Sequence, residues 1–193
     1  MNSAWYRFAA WAIRLVLVAA LVQQVFVGDV VGALAMALFL VLSFAYLLRD
    51  DRLPTVFDAL VVVAAVLNGL GFVFNFYKRI VAFDNVAHAV TIFAITLAFF
   101  FLVYRDTLTG TGRLPMATAV FTFGVTVGAL WEIAEWTTGQ IFDIRVIFGL
   151  KDAITDLITN SVAALVAAGV ALVMARRRSE EQERSQEDRV IRR

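Results

Sequence analysis

Six runs of apolar residues, each close to the length that crosses a hydrocarbon layer, dominate this chain. A helix needs about 20 apolar residues for that crossing. The runs are Ala9–Val27, Val30–Leu48, Pro54–Phe74, Asp84–Tyr104, Met116–Trp136 and Asp152–Ala175. Backbone amides have no water to bond inside a bilayer, so spanning segments must be helices or closed barrels. A barrel strand would alternate apolar and polar residues over about ten positions, and these runs do not alternate. The expected fold is therefore all-α: a polytopic integral membrane protein, a six-transmembrane-helix bundle. Residues 1–175 are expected to form one transmembrane helical domain. The remainder, 176–193, is expected to be a charged cytoplasmic tail, solvated and either helical or without a core to join.

The rest of the composition removes function classes. At 61% hydrophobic and a mean hydropathy of +0.80, the 193 residues leave no water-soluble domain between the runs. A formal net charge of +1 gives no reason to expect a nucleic-acid partner. Zero cysteines exclude disulfides, thiolate metal sites and cysteine nucleophiles. No Walker loop and no G-x-S-x-G occur, and the serines are poorly placed for a Ser-His-Asp triad. The N-terminal stretch lacks a small-x-small cleavage signal after Gln23-Gln24, so an uncleaved first span is expected.

Lys and Arg placement orients the spans. With the N-terminus inside, Arg7, Arg49, Arg52, Arg105, Arg113 and the tail arginines are cytoplasmic. Lys78, Arg79, Arg145 and Lys151 fall on the other side. Both termini are thus expected in the cytoplasm of a multi-pass protein of a bacterial or archaeal plasma (inner) membrane.

That orientation brings the ionisable residues of three separate spans to one depth. Asp84 and His88, the chain's only histidine, begin span four. Glu132 and Glu135 end span five, and Asp152, Asp156 and Asn160 begin span six. Inverting the whole topology moves all three sets to the other face together. Residues three or four apart share a helix face, so each span presents one polar stripe. Ionisable groups inside a membrane are expensive and mark functional sites by default. Clustered carboxylates in low dielectric cannot all stay charged alone: either some are protonated or a cation neutralises them. An oxygen-rich set with one imidazole suits a divalent metal (Mg, Mn, Zn or Ca). The structural alternatives are that Asp84 and Asp152 cap their helices and that Trp131 and Trp136 belong to an interfacial aromatic belt.

Other polar residues carry weaker signals. Arg14 is expected to snorkel to the cytoplasmic interface, with Asp58 as a partner or a cap. Asn68 reads as helix–helix glue, and Gly124 with Gly128 as a G-x-x-x-G packing face. Gln23 and Gln24 lie near enough to the outer end to join the polar pocket. Asp143 and Arg145 belong to the outer loop, as a solvated segment or a lid.

The motifs Phe83-Asp84-x-x-x-His88, Trp131-Glu132-x-x-Glu135-Trp136 and Asp152-x-x-x-Asp156-x-x-x-Asn160 resemble the signature of the YjdF-type family of bacterial inner-membrane proteins, and more distantly VanZ-like proteins. The resemblance covers spans three to six, residues 54–175. It implies a membrane-helical fold and carries over Asp84, His88, Glu132, Glu135, Asp152, Asp156 and Asn160 as the shared residue set. It implies no reaction. The chain departs from the family at Phe148-Gly149-Leu150-Lys151, where members often carry a more polar, Gly- and Asp-rich stretch.

The functional expectation is a carboxylate–histidine site on the extracytoplasmic side, serving metal-dependent hydrolysis or phosphoryl chemistry on a lipid or envelope component. Asp84, His88, Asp152 and Asp156 are the expected metal ligands. Glu132 or Glu135 is the expected general base, and Asn160 orients a ligand or a water. Membrane lipids are the expected partners, and homo-oligomerisation is left open. The rival readings are a cation- or proton-coupled transporter or channel, which would need polar residues through the inner half as well, and a non-catalytic membrane scaffold.

Overall fold

The computed structural model describes residues 4–47, 55–80, 82–104, 107, 111–143, 147 and 149–191, with the backbone alone at 4–7, 9, 10, 45–47, 55–58, 103, 104, 177–183 and 185–191. The connection over 49–53, most of that over 105–110, Arg145, Phe148 and the Asp58 side chain lie outside the described residues.

Each expected span corresponds to a helix, and no strand occurs among the described residues. The helices are α1 (Ala4–Val27), α2 (Val30–Leu47), α3 (Thr55–Val73), the single turn α4 (Phe76–Arg79), α5 (Phe83–Phe99), α6 (Arg113–Phe142) and α7 (Leu150–Ile191). A π-helical turn, Phe100–Tyr104, prolongs α5. Among the described residues three segments are long and apolar enough to cross a membrane: Phe83–Leu102, Arg113–Phe142 and Leu150–Arg176. Trp11–Val27, Val30–Phe44 and Ala59–Val73 are shorter apolar stretches.

Helix α6 outruns its expected span, and α7 takes the helical of the two readings for the tail. α6 continues through Thr137–Phe142, read as loop, and stops where Asp143 takes a left-handed conformation at φ 50°. Gly139 alone does not end it, because one glycine costs a helix only about 1 kcal/mol. α7 begins at Leu150, just after Gly149 at φ 133°, and its backbone stays helical through the charged tail to Ile191. Asp29, between α1 and α2, accepts a hydrogen bond from the Gly32 amide at 2.9 Å, satisfying one of the orphan donors at the start of α2.

Neither Asp84 nor Asp152 is a cap. The residue before α5 is Ala82, and both acids lie within the first turn of their helices. That frees their carboxylates to face neighbouring helices.

The bundle consists of two groups of three helices. α1, α2 and α3 pack on one another, as do α5, α6 and α7, and α3 against α5 joins the groups. Leu17, Met36, Phe39 and Ala65 fill the first group; Leu97, Phe100, Val120, Ala167 and Ala171 fill the second. Outward faces carry Val16, Val25, Val41, Leu165 and Val166 exposed. Helices apolar on all sides suit a lipid environment.

Close helix contact rests on small residues. A methyl group on Gly124 would stand 2.6 Å from the Ala164 Cβ, and one on Gly128 would stand 2.7 Å from the Asn160 Cβ. The G-x-x-x-G face of α6 is thus pressed directly against α7, as the sequence spacing suggests. Arg14 differs from its expectation. It is 1% exposed, and its Nη2 donates to the Ser43 carbonyl at 3.1 Å, so it ties α1 to α2 instead of reaching an interface.

Candidate metal centre

α5 and α7 start at the end of the bundle where α6 finishes. This antiparallel arrangement brings the first turns of two helices beside the last turns of a third. Asp84, His88, Glu132, Glu135, Asp156 and Asn160 meet there.

His88 lies at the centre and is 6% exposed. Its Nδ1 is 3.2 Å from the Asn160 Oδ1 on α7 and 3.5 Å from the Glu132 Oε1 on α6. Its Nε2 is 3.5 Å from the Asp84 Oδ1, one turn earlier on α5. Placing the proton on Nδ1 lets it be donated to Asn160, which leaves the Nε2 lone pair on the Asp84 side. Histidines that ligate metals are commonly held this way, with the second ring nitrogen donating to an oxygen.

Two sets of donor atoms each fall within 4.8 Å of one another: Asp84, His88 and Asp156 in one, His88, Glu132 and Glu135 in the other. Asp152, also expected as a ligand, belongs to neither. It sits one turn before Asp156, half-buried in the first turn of α7.

Glu132 is 6% exposed, and its carboxylate faces the His88 Nδ1 at 3.5 Å and the Asn160 side chain. Among the described residues the only ion-pair partner of Asp84 and Glu132 is His88. Insertion scales put a charged side chain at a helix centre at about 3 kcal/mol, and several clustered acids near one membrane face carry a smaller but cumulative cost. One imidazole does not offset it. Protonation of some of the acids or a bound cation would offset it, and an oxygen-rich donor set with one nitrogen fits a divalent ion.

Neighbouring residues hold the acids in place. The Trp131 Nε1 donates to the Glu135 Oε1 at 2.9 Å, so Trp131 is more than a belt residue. Its spacing of four from Glu135 was the available signal. Trp136, by contrast, is 59% exposed, as an interfacial aromatic should be. Behind His88, the Tyr77 hydroxyl donates to the Asn68 Oδ1 at 2.7 Å, and the Asn68 Nδ2 donates to the Thr91 Oγ1 at 2.8 Å. This strut connects α4, α3 and α5, which bears out Asn68 as glue between helices. Burial first, then the charges of Asp84 and Glu135, hold the Tyr77 phenol above its ordinary range, so it remains a neutral donor. Tyr77 lies in an interspan connection with no periodic pattern, and sequence reasoning passed over it. Of the two glutamines, Gln23 is exposed and Gln24 is buried beside Gly32 at the α1–α2 turn.

Below the polar level the packing is largely apolar. Ile92, Ala163 and Ala164 form a buried cluster, followed by Leu97 and Ala167.

With this geometry in view, comparison with known proteins gives a family. The family model described as "Predicted membrane protein (DUF2238)" matches residues 6–177. The chain belongs to this family. The match covers all six apolar helices and the YjdF-type motifs on which the resemblance rests, and the family is one of membrane proteins. The chain is also 34% identical over 103 residues to a Thermotoga maritima protein described as "Uncharacterized protein". That alignment covers 52% of this chain, which spans about half (53%) of the length of that curated relative. No solved structure matches the chain.

Proposed function

We propose that this family member is a metal-dependent enzyme of the bacterial or archaeal plasma membrane, with both termini cytoplasmic and its site opening to the extracytoplasmic side. It hydrolyses, or transfers a phosphoryl group on, a lipid or envelope component. The observation that carries this reading is that α5, α6 and α7 bring Asp84, His88, Glu132, Glu135 and Asp156 together as two sets of clustered donors.

His88, Asp84 and Asp156 would hold the ion, while Asp152, one turn before Asp156, stands outside both donor sets. A bound divalent cation supplies Lewis acidity toward a phosphoryl or carbonyl oxygen and makes its water more acidic. Asn160 orients the imidazole by accepting the Nδ1 proton. Glu132 accepts the proton of the attacking water at its carboxylate. Trp131 holds Glu135 at the wall of the site. The polar seats of α5, α6 and α7 exclude bulk water from the inner side, where Ile92, Ala164 and Leu97 close the interface.

The largely apolar floor supports a closed pocket over a transport path, with Thr91 and Thr96 as the buried polar residues of α5 at and below that level. A conduit for protons or cations needs polar groups along its whole length, and below Asn160 the α5–α6–α7 interface offers the Thr96 hydroxyl among otherwise apolar groups such as Ala164, Leu97 and Ala167.

The test is turnover. Purified protein, reconstituted with lipid extract from its own membrane, should generate new lipid products by mass spectrometry. Chelator should stop their formation, divalent ion should restore it, and Glu132→Gln should stop it with metal still bound. Products that persist through chelation would refute metal dependence. Cation flux abolished by Glu135→Gln, without products, would favour the transporter.

A further inference from the structure

Between α2 and α6 the bundle leaves a crevice of about 160 Å³. Leu34 and Leu38 of α2 form one wall, Phe72 of α3 the back, and Trp131, Ala134 and Glu135 of α6 the other wall. The spacing of four between Leu34 and Leu38 and of three and four between Trp131, Ala134 and Glu135 makes each wall a single helix face. The crevice opens sideways: Leu34 is 56% and Leu38 45% exposed, and Ala134 is exposed as well. Toward the inner side the Phe39 and Trp131 rings approach to 6.0 Å between centroids and narrow it.

Glu135 is the one ionisable residue among those lining this space. The same carboxylate belongs to the donor set with His88 and Glu132. The crevice is therefore apolar for most of its surface and reaches the charged site at one wall. It lies between two helices that carry exposed apolar residues, Leu34 and Leu38 on α2 and Leu130 and Ile133 on α6.

The geometry points to this crevice as the seat of one hydrocarbon chain of a membrane lipid, with the lipid's polar end at Glu135. The inference rests on the reading that the buried site acts on a membrane lipid, and it names where that substrate enters. Size selects the occupant. An engineered apolar cavity of roughly 150 Å³ holds a benzene ring, so this volume takes a chain segment of about six carbons. A helix about 10 Å across is too thick. Association within lipid has no hydrophobic driving force, so shape along the walls and the polar contact at Glu135 must supply the preference.

The experiment is photolabelling of the full-length protein in nanodiscs of phosphatidylethanolamine and phosphatidylglycerol, doped with a phosphatidylglycerol carrying a diazirine on one acyl chain. Adducts should be enriched several-fold on Leu34, Leu38 and Ala134 over the comparably exposed Leu165 and Val166 of α7. Leu34→Trp and, independently, Ala134→Trp should remove the enrichment by filling the crevice; both positions are exposed, so neither overpacks the core. Labelling no greater than at Leu165 and Val166, or unchanged in both tryptophan variants, would overturn the assignment. Protein–protein adducts through Leu34 in place of lipid adducts would assign the face to a second copy and overturn it equally. Metal content is measured on the same samples. Crevice labelling without bound metal retains the lipid seat and removes the metal reading, and bound metal without enrichment does the reverse.

Discussion

The Nδ1 of His88 and the Oδ1 of Asn160 lie 3.2 Å apart across the α5–α7 interface, 72 positions apart in the chain. This contact decides which face of the imidazole is available, since the nitrogen that donates to Asn160 cannot also bind a metal. Asn160→Ala should therefore leave the fold intact and weaken divalent-ion affinity by roughly 10- to 100-fold, the range for losing an outer partner of a ligating histidine. Metal titration followed by calorimetry reads this. Unchanged affinity would show that Asn160 does not set the imidazole.

The acidic groups and His88 must lose their protons to ligate, so metal binding is expected to weaken as pH falls and to return when it is raised. The thermal midpoint should follow. An ion present at 100 times its dissociation constant stabilises by about 2.7 kcal/mol. Chelator at neutral pH should lower the midpoint, and the same chelator should have little effect at acid pH, where the ion has already left. An equal drop at both pH values would contradict the coupling.

Gly128→Ala should cost about 1–3 kcal/mol, the usual penalty for overpacking, because its methyl would stand 2.7 Å from the Asn160 Cβ. Metal affinity should fall with it as α7 is pushed away from His88. Gly124→Ala, against Ala164 and Thr96, should lower stability with less effect on metal. Denaturation in mild detergent, paired with metal content, separates the two.

Six helices were legible because apolar length is read directly from composition, and the convergence of Asp84, Glu132 and Asp156 followed from alternating direction alone. The direction of a side chain around its helix was less accessible. Arg14 looked suited to an interface, yet it turns inward to the Ser43 carbonyl. Trp131 was read as a belt residue, yet it grips Glu135. Asp84 and Asp152 each open a run, yet their helices start one and two residues earlier, so neither caps. Tyr77 was invisible because it acts from a one-turn helix, where no periodicity marks a buried face.

Tyr77→Phe should cost about 1 kcal/mol by leaving the Asn68 Oδ1 without its donor, while metal content stays at the wild-type level. The phenol is held above its ordinary value by burial and by Asp84 and Glu135. A group raised in the folded state gives its stability below the unfolded value and loses it as pH rises. The difference between wild type and Tyr77→Phe should accordingly shrink above about pH 10, the ordinary tyrosine range. A constant difference through that range would place the effect in packing alone.

Metal stoichiometry of the purified protein, by elemental mass spectrometry after extensive dialysis, tests the central claim most directly. The account predicts one tightly held divalent ion per chain in the wild type, and its loss in His88→Ala and in Asp156→Asn, both still folded by circular dichroism. A wild-type protein free of divalent metal, or variants that retain the full complement, would contradict it.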